Sequence, residues 1–361
     1  MITQLRIDAL VIGSILCLSS ISMGKEIVII DRVSALALQG NVKQAIVLMD
    51  SLPEKALTAD IEQMRSNYYR RFVADEEPQA PASSDSGAVG VLRIFQRYWR
   101  DALMMRLSEP VLESRLRSGL TSYLHQRYWI AALMPTMLVK AMIDPLYMGY
   151  LKSRGYYATG LGKTGTIFDM LVWTEQDDRD FAIDLPGGVQ NVRVVFMDKF
   201  LTLGWEEFAT FGRCYPGGWA KTDALYCVKK AYDTGSEDFR VSYLTHEAQH
   251  FADYARYPKL LQPDLEYRAK LAELCQTDTL KDRLIKRFIV NALDDSTQAH
   301  SFADHCVIRD LSRRLFKTDY VSDLEQWKAL KPHALNATAR ELLLANTTAL
   351  DKLKDVERYI R

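Results

Sequence analysis

Two histidines four residues apart, His246 and His250, with Glu247 directly after the first, form the constellation whose spacing most directly implies chemistry. On a helix, residues at i and i+4 lie one above the other, about 6 Å apart along the axis. Two imidazoles so placed reach one metal ion, and the intervening glutamate leans over the same ion as a general base. The chain has six histidines in 361 residues, so a chance HExxH is rare. The bland alternative is a pair of core histidines satisfied by hydrogen bonds, and it requires two histidines, a glutamate and a helix to coincide without purpose.

Two histidines leave a catalytic zinc site one ligand short, because such sites have three protein ligands and one open position. A third histidine in the register HExxHxxGxxH is excluded, since Asp253 and Arg256 stand where glycine and histidine would be required. The remaining source is a carboxylate from the following helix, where Glu266 lies 16 residues beyond His250 and Glu273 shares its face. Asp253 is a further candidate for orienting a ligand.

The elements that must position these groups are legible. Ser236 caps a helix whose first turn carries Glu237 and Asp238, and Pro258 ends it. Pro263 suits the first turn of the next helix, with Glu266, Ala269 and Glu273 on one side. Upstream, Ile167–Thr174, Asp180–Leu185 and Val192–Met197 are short runs of β-formers, and Phe211–Ala231 reads as a hairpin. Helices are expected at 280–293, at 296–316 (carrying His300 and His305) and at 333–360.

With HExxH at 246–250, a glutamate-bearing helix at 264–275 and strands just before, the chain over about 154–316 resembles the gluzincin-type zinc metallopeptidases, the broad group containing thermolysin. The resemblance implies one zinc per chain, with His246, His250 and Glu266 as ligands, Glu247 as general base, and His300 or His305 as donor to the oxyanion. It implies a peptide or protein substrate. The chain departs from the pattern at Lys270, where thermolysin-like enzymes carry an aspartate four residues after the ligating glutamate. That departure keeps Glu273 open as the ligand instead. Two other readings use the same residues: a partner-binding protein that holds zinc without turnover, and a zinc amidase acting on a non-peptide substrate. The expected fold is α+β and mostly helical, with a small antiparallel sheet ahead of a zincin-like active-site helix and a helical C-terminal subdomain.

Lysine plus arginine and aspartate plus glutamate number 46 each, and no basic block argues for nucleic acid. Residues 1–24 read as a secretory signal, with Arg6 ahead of the apolar run Ala9–Leu18, or else as an uncleaved N-terminal anchor. The signal implies export, periplasmic or secreted; the uncleaved anchor implies a membrane-anchored protein instead. Removal of Cys17 would then leave Cys214, Cys227, Cys275 and Cys306, for which local structure suggests Cys214–Cys227 and Cys275–Cys306 disulfides. Helices over Glu26–Leu38, Val42–Ser51 and Leu57–Arg71 form a prelude, residues 76–90 read as a linker, and a catalytic domain is expected over 91–361. Residues 127–150 are rich in apolar side chains, yet Arg127, Lys140 and Asp144 interrupt them, which suggests a core helix rather than membrane contact.

Overall fold

Apolar residues recurring every three to four positions build the first half of the chain. Leu92, Phe95, Trp99 and Leu103 on one helix are all buried, and the Trp99 indole donates to the Phe168 carbonyl at 2.8 Å. The computed structural model describes residues 15–17, 25–78, 84–353 and 355–361 of a mostly helical α+β protein. Its chain divides into two compact units, 1–176 with 197–216, and 177–196 with 217–361.

The first unit contains β1 (Ile15–Cys17), α1 (Lys25–Leu38), α2 (Val42–Asp50) and α3 (Ala59–Tyr68), the last continuing into a wider π turn over Tyr69–Val73. It continues with α4 (Ser86–Leu103), α5 (Glu109–Arg127), α6 (Trp129–Ala132), α7 (Thr136–Ala141) and α8 (Ile143–Lys152). Short strands β2 (Tyr157–Ala158), β3 (Gly162–Thr164) and β4 (Ile167–Asp169) follow. The segment expected to be a linker is partly helix: Asp85 accepts from the Gly87 and Ala88 amides and caps α4. Val33, Met49 and Phe72 from one side of that segment share a core with Phe95 and Trp99 from the other. The compact units therefore divide elsewhere than at 76–90.

Two long strands, β5 (Leu171–Leu185) and β6 (Gly188–Leu203), belong in part to each unit. They replace the three short strands suggested by composition. The polar stretch Glu175–Asp180 is a poor strand former, but strand pairing overrides propensity on a solvated face. α9 (Trp205–Thr210) and β7 (Cys214–Pro216) complete the first unit, where β7 pairs antiparallel with β1, Cys214 opposite Cys17. Apart from 15–17, the segment read as a signal or anchor lies outside the described residues.

In the second unit, β8 (Gly218–Ala220) and β9 (Leu225–Val228) form the hairpin, and β8 is the last strand of its sheet. Six helices follow a wide turn: α10 (His246–Arg256), α11 (Gln262–Gln276), α12 (Lys281–Asn291), α13 (Ala299–Leu315), the short α14 (Leu324–Lys328) and α15 (Pro332–Leu353). Leu271, Leu284, Phe288, Val307 and Trp327 fill their core.

Neither expected disulfide forms, because Cys227, Cys275 and Cys306 are free. The hairpin register explains the first case: Gly218, four residues after Cys214, stands opposite Cys227, and β7 is engaged with β1 instead. The core helix expected over 127–150 is also not found. Trp129, Leu133 and Met137 are exposed, because Pro135 and Pro145 break the segment into short helices. Alkylation of the unreduced, denatured protein is expected to label Cys227, Cys275 and Cys306. Recovery of a Cys214–Cys227 or Cys275–Cys306 linked peptide would contradict this arrangement.

Candidate metal centre

The helix bearing the motif starts where its sequence indicates, with the Ser236 hydroxyl accepting from the Phe239 amide at 3.1 Å. Residues Phe239–Thr245 then widen into π geometry, and the Thr245 hydroxyl donates to the Arg240 carbonyl five residues back. Such segments concentrate at functional sites. Regular α-helix resumes at His246, which stacks His246 and His250 on one face with their Nε2 atoms 3.1 Å apart.

From α11, the Glu266 carboxylate meets this pair. Its Oε1 lies 3.2 Å from His250 Nε2, and its Oε2 lies 3.6 Å from His246 Nε2. Donor atoms around a tetrahedral zinc, with bonds of about 2.0–2.1 Å, stand about 3.3 Å from one another. The three side chains, all buried, thus have the spacing of ligands around one ion. The state of Glu266 agrees with this. Both of its oxygens are buried without a directed hydrogen bond, although His250 and the His300 Nδ1, at 2.9 Å, are in ion-pair range. Burial pushes its carboxyl up, but His300 and His250 outweigh that and hold it well below the ordinary range. A charged, desolvated carboxylate with unfilled acceptor positions beside two imidazoles fits a divalent cation.

Glu273 lies outside the cluster of His246, His250 and Glu266. Its Oε1 lies 2.7 Å from His246 Nδ1, on the opposite side of the ring from the ligand cluster, and its Oε2 accepts from Arg287 at 2.8 Å. Burial pushes Glu273 up, and Arg287 with His246 brings it below its usual value. His246 itself is shifted down, burial prevailing over the pull of Glu273 and Glu266. A carboxylate on Nδ1 fixes the ring orientation and leaves the Nε2 lone pair for a metal. Seven residues, two turns, separate Glu266 from Glu273, so one helix face meets both His250 and, from the other side, His246. Lys270, between them, forms a buried pair with Asp304 at 3.0 Å.

Glu247 is wholly buried, and neither of its oxygens has a directed partner. Burial, followed by repulsion from Glu266 and Glu273, raises its carboxyl well above the usual range, and the nearby Ala220 amide of β8 opposes this only in part. His300, with a half-exposed side chain, joins the site through Glu266. His305 does not: it stacks on Tyr320, ring centroids 5.1 Å apart. Asp253 is likewise spent elsewhere, in a buried bidentate pair with Arg268 at 2.8 and 2.9 Å. Arg268 also donates to Asn346 at 2.7 Å. Sequence reasoning missed Arg287, which lies in another helix without a spacing cue. It also missed Tyr254, four residues after His250, whose ring stacks on that histidine at 6.1 Å. His250 Nδ1 has no hydrogen-bond partner among the described residues.

Comparison of the chain with protein-family models, curated proteins and solved structures gave no match.

The two glutamates of α11 should separate in a zinc titration. Glu266→Gln removes a ligand and is expected to weaken zinc binding more than a hundredfold, whereas Glu273→Gln loosens only the support of His246 and should cost about 10–100-fold. The reverse order, with both variants folded by circular dichroism, would make Glu273 the ligand.

Proposed function

We propose that the protein is a zinc-dependent hydrolase that cleaves peptide bonds, holding one zinc per chain through His246, His250 and Glu266. The observation that carries this reading is Glu247, a buried carboxyl with two unpartnered oxygens, next in sequence to one ligand and near the others. A site that only binds zinc for stability has no use for such a group, and it is closed by four protein ligands rather than three. When bound, zinc supplies Lewis acidity and lowers the pKa of water toward 7.

The chain's own groups do the rest. Glu247 takes the proton of the attacking water at a carboxylate oxygen and returns it to the departing nitrogen. Its burial beside two other carboxylates raises its proton affinity, which suits a group that must hold a proton between those events. Glu273 and Arg287 keep the His246 ring in one orientation. The half-exposed ring of His300 beside Glu266 supports it as the donor to the developing oxyanion, while the stacking of His305 on Tyr320 argues against that residue. β8, the last strand of its sheet, ends at Ala220 near Glu247. The likeness of the motif spacing to gluzincin-type peptidases supports a peptide substrate.

One observation favours the second reading, zinc binding without turnover: Glu247, His250 and Glu266 are all fully buried. Export is part of the proposal through the composition of residues 1–24, and the Cys214–Cys227 and Cys275–Cys306 pairings lend it no support because Cys227, Cys275 and Cys306 are free. Among the described residues, no helix is long and apolar enough to cross a membrane.

Glu247→Gln retains shape and hydrogen-bonding capacity but cannot accept a proton. It is expected to bind zinc as the parent does while losing at least about a hundredfold in the rate of peptide hydrolysis. Zinc-loaded parent and variant that are equally inert toward a broad peptide library would favour the binding reading.

A further inference from the structure

Large apolar side chains left in water gather on one segment of the first unit. Trp129, Leu133 and Met137 are 71%, 79% and 86% exposed, and Leu138 and Met142 are also exposed. They sit on α6, on α7 and in the turns beside them, whose opposite face is anchored by the fully buried Ala131 and Val139. Single exposed apolar residues need no explanation, but a contiguous group marks an interaction site.

The charge pattern around this face is one-sided. No aspartate or glutamate occurs between Glu113 and Asp144, whereas Arg115, Arg117, Arg127 and Lys140 do. Arg115 and Arg117 are spent on Asp101 and Glu113, at 3.9 and 2.8 Å. Arg127 and Lys140 are exposed and make no ion pair among the described residues. Beside Trp129 opens a cleft of about 360 Å³, lined by Arg127, Tyr128, Tyr150, Arg154 and Asp85. Asp85 is neutralised there by Arg154 at 2.7 Å, so Arg127 is the uncommitted charge.

We propose that this face docks on an anionic phospholipid surface, with Trp129, Leu133 and Met137 entering the boundary between headgroups and acyl chains and Arg127 and Lys140 meeting lipid phosphates. Short amphipathic helices with tryptophan and leucine on one side and cations beside them bind membranes in this manner. The attachment is peripheral, since none of the described helices can span a bilayer.

The six tryptophans provide a local readout. Trp99, Trp173, Trp205, Trp219 and Trp327 are all buried, so Trp129 is the one a soluble quencher reaches. The full chain is mixed with phosphatidylcholine vesicles with and without phosphatidylglycerol, and acrylamide quenching is followed with co-sedimentation. Sedimentation alone would also register the apolar residues 1–24, whereas quenching reports on Trp129. Anionic vesicles are expected to blue-shift the emission and suppress quenching. Leu133→Ala with Met137→Ala should lower vesicle partitioning about tenfold or more. Arg127→Gln and Lys140→Gln should each lower it about fivefold, on anionic vesicles only. Quenching unchanged by either vesicle would overturn the proposal. So would shielding of Trp129 without lipid: shielding that grows with protein concentration would assign the face to a second copy, and shielding independent of concentration would assign it to the chain's own residues.

Discussion

The second unit is arranged around a buried carboxylate, Glu266, whose charge is balanced by the imidazoles beside it. Glu266 is fully buried, and His300 and His250, at 2.9 and 3.2 Å, hold its carboxyl well below the ordinary range against the opposing effect of burial. Removing an ion from water without full compensation costs several kcal/mol in a protein interior. Two more glutamates, Glu247 and Glu273, are buried beside it. Arg287 answers Glu273, while Glu247 is pushed toward its protonated form. A divalent cation among His246, His250 and Glu266 would favour the charged form of Glu247, because a bound ion reverses the local electrostatics.

The helices around the site serve to hold α11 in place. Arg268 ties it to Asp253 of α10 and Asn346 of α15, and Lys270 ties it to Asp304 of α13. Residues 266, 268, 270 and 273 thus direct one short stretch of helix toward a ligand cluster, two structural ion pairs and the back of a histidine. Buried pairs of this kind contribute little net stability compared with apolar packing, but breaking one partner leaves an uncompensated charge. Their value here is geometric: a shift of α11 along its axis would separate Glu266 from both imidazoles.

How much of this was legible depended on whether the information was local. HExxH, the cap at Ser236, the break at Pro258, the first-turn Pro263 and the shared face of Glu266 and Glu273 are all properties of adjacent turns, and each appears in the structure as read. Which glutamate faces Nε2 and which faces Nδ1 depends on how α10 and α11 cross, and no periodicity encodes that. Arg287, Asp304 and Asn346 reach the centre from helices far along the chain, for the same reason. Asp253 and Lys270 read as departures or spare carboxylates until their partners, Arg268 and Asp304, are seen. The errors also have physical causes: strand pairing carried β5 through a polar stretch of low propensity, and β7 joined β1 rather than the hairpin that cysteine spacing suggested. Over 127–150 the apolar content suggests core throughout, but the breaks near Pro135 and Pro145 leave Trp129, Leu133 and Met137 outside while Tyr147 and Tyr150 are buried.

The central claim is that one metal is held by two imidazole nitrogens and one carboxylate, with a position left open. Zinc K-edge X-ray absorption on the stoichiometrically loaded protein tests it most directly. The account predicts a first shell of nitrogen and oxygen only, at about 2.0–2.2 Å, with the outer-shell scattering of two imidazoles. A sulfur shell at about 2.3 Å, the signature of cysteine ligation, or imidazole scattering from one histidine alone, would contradict it.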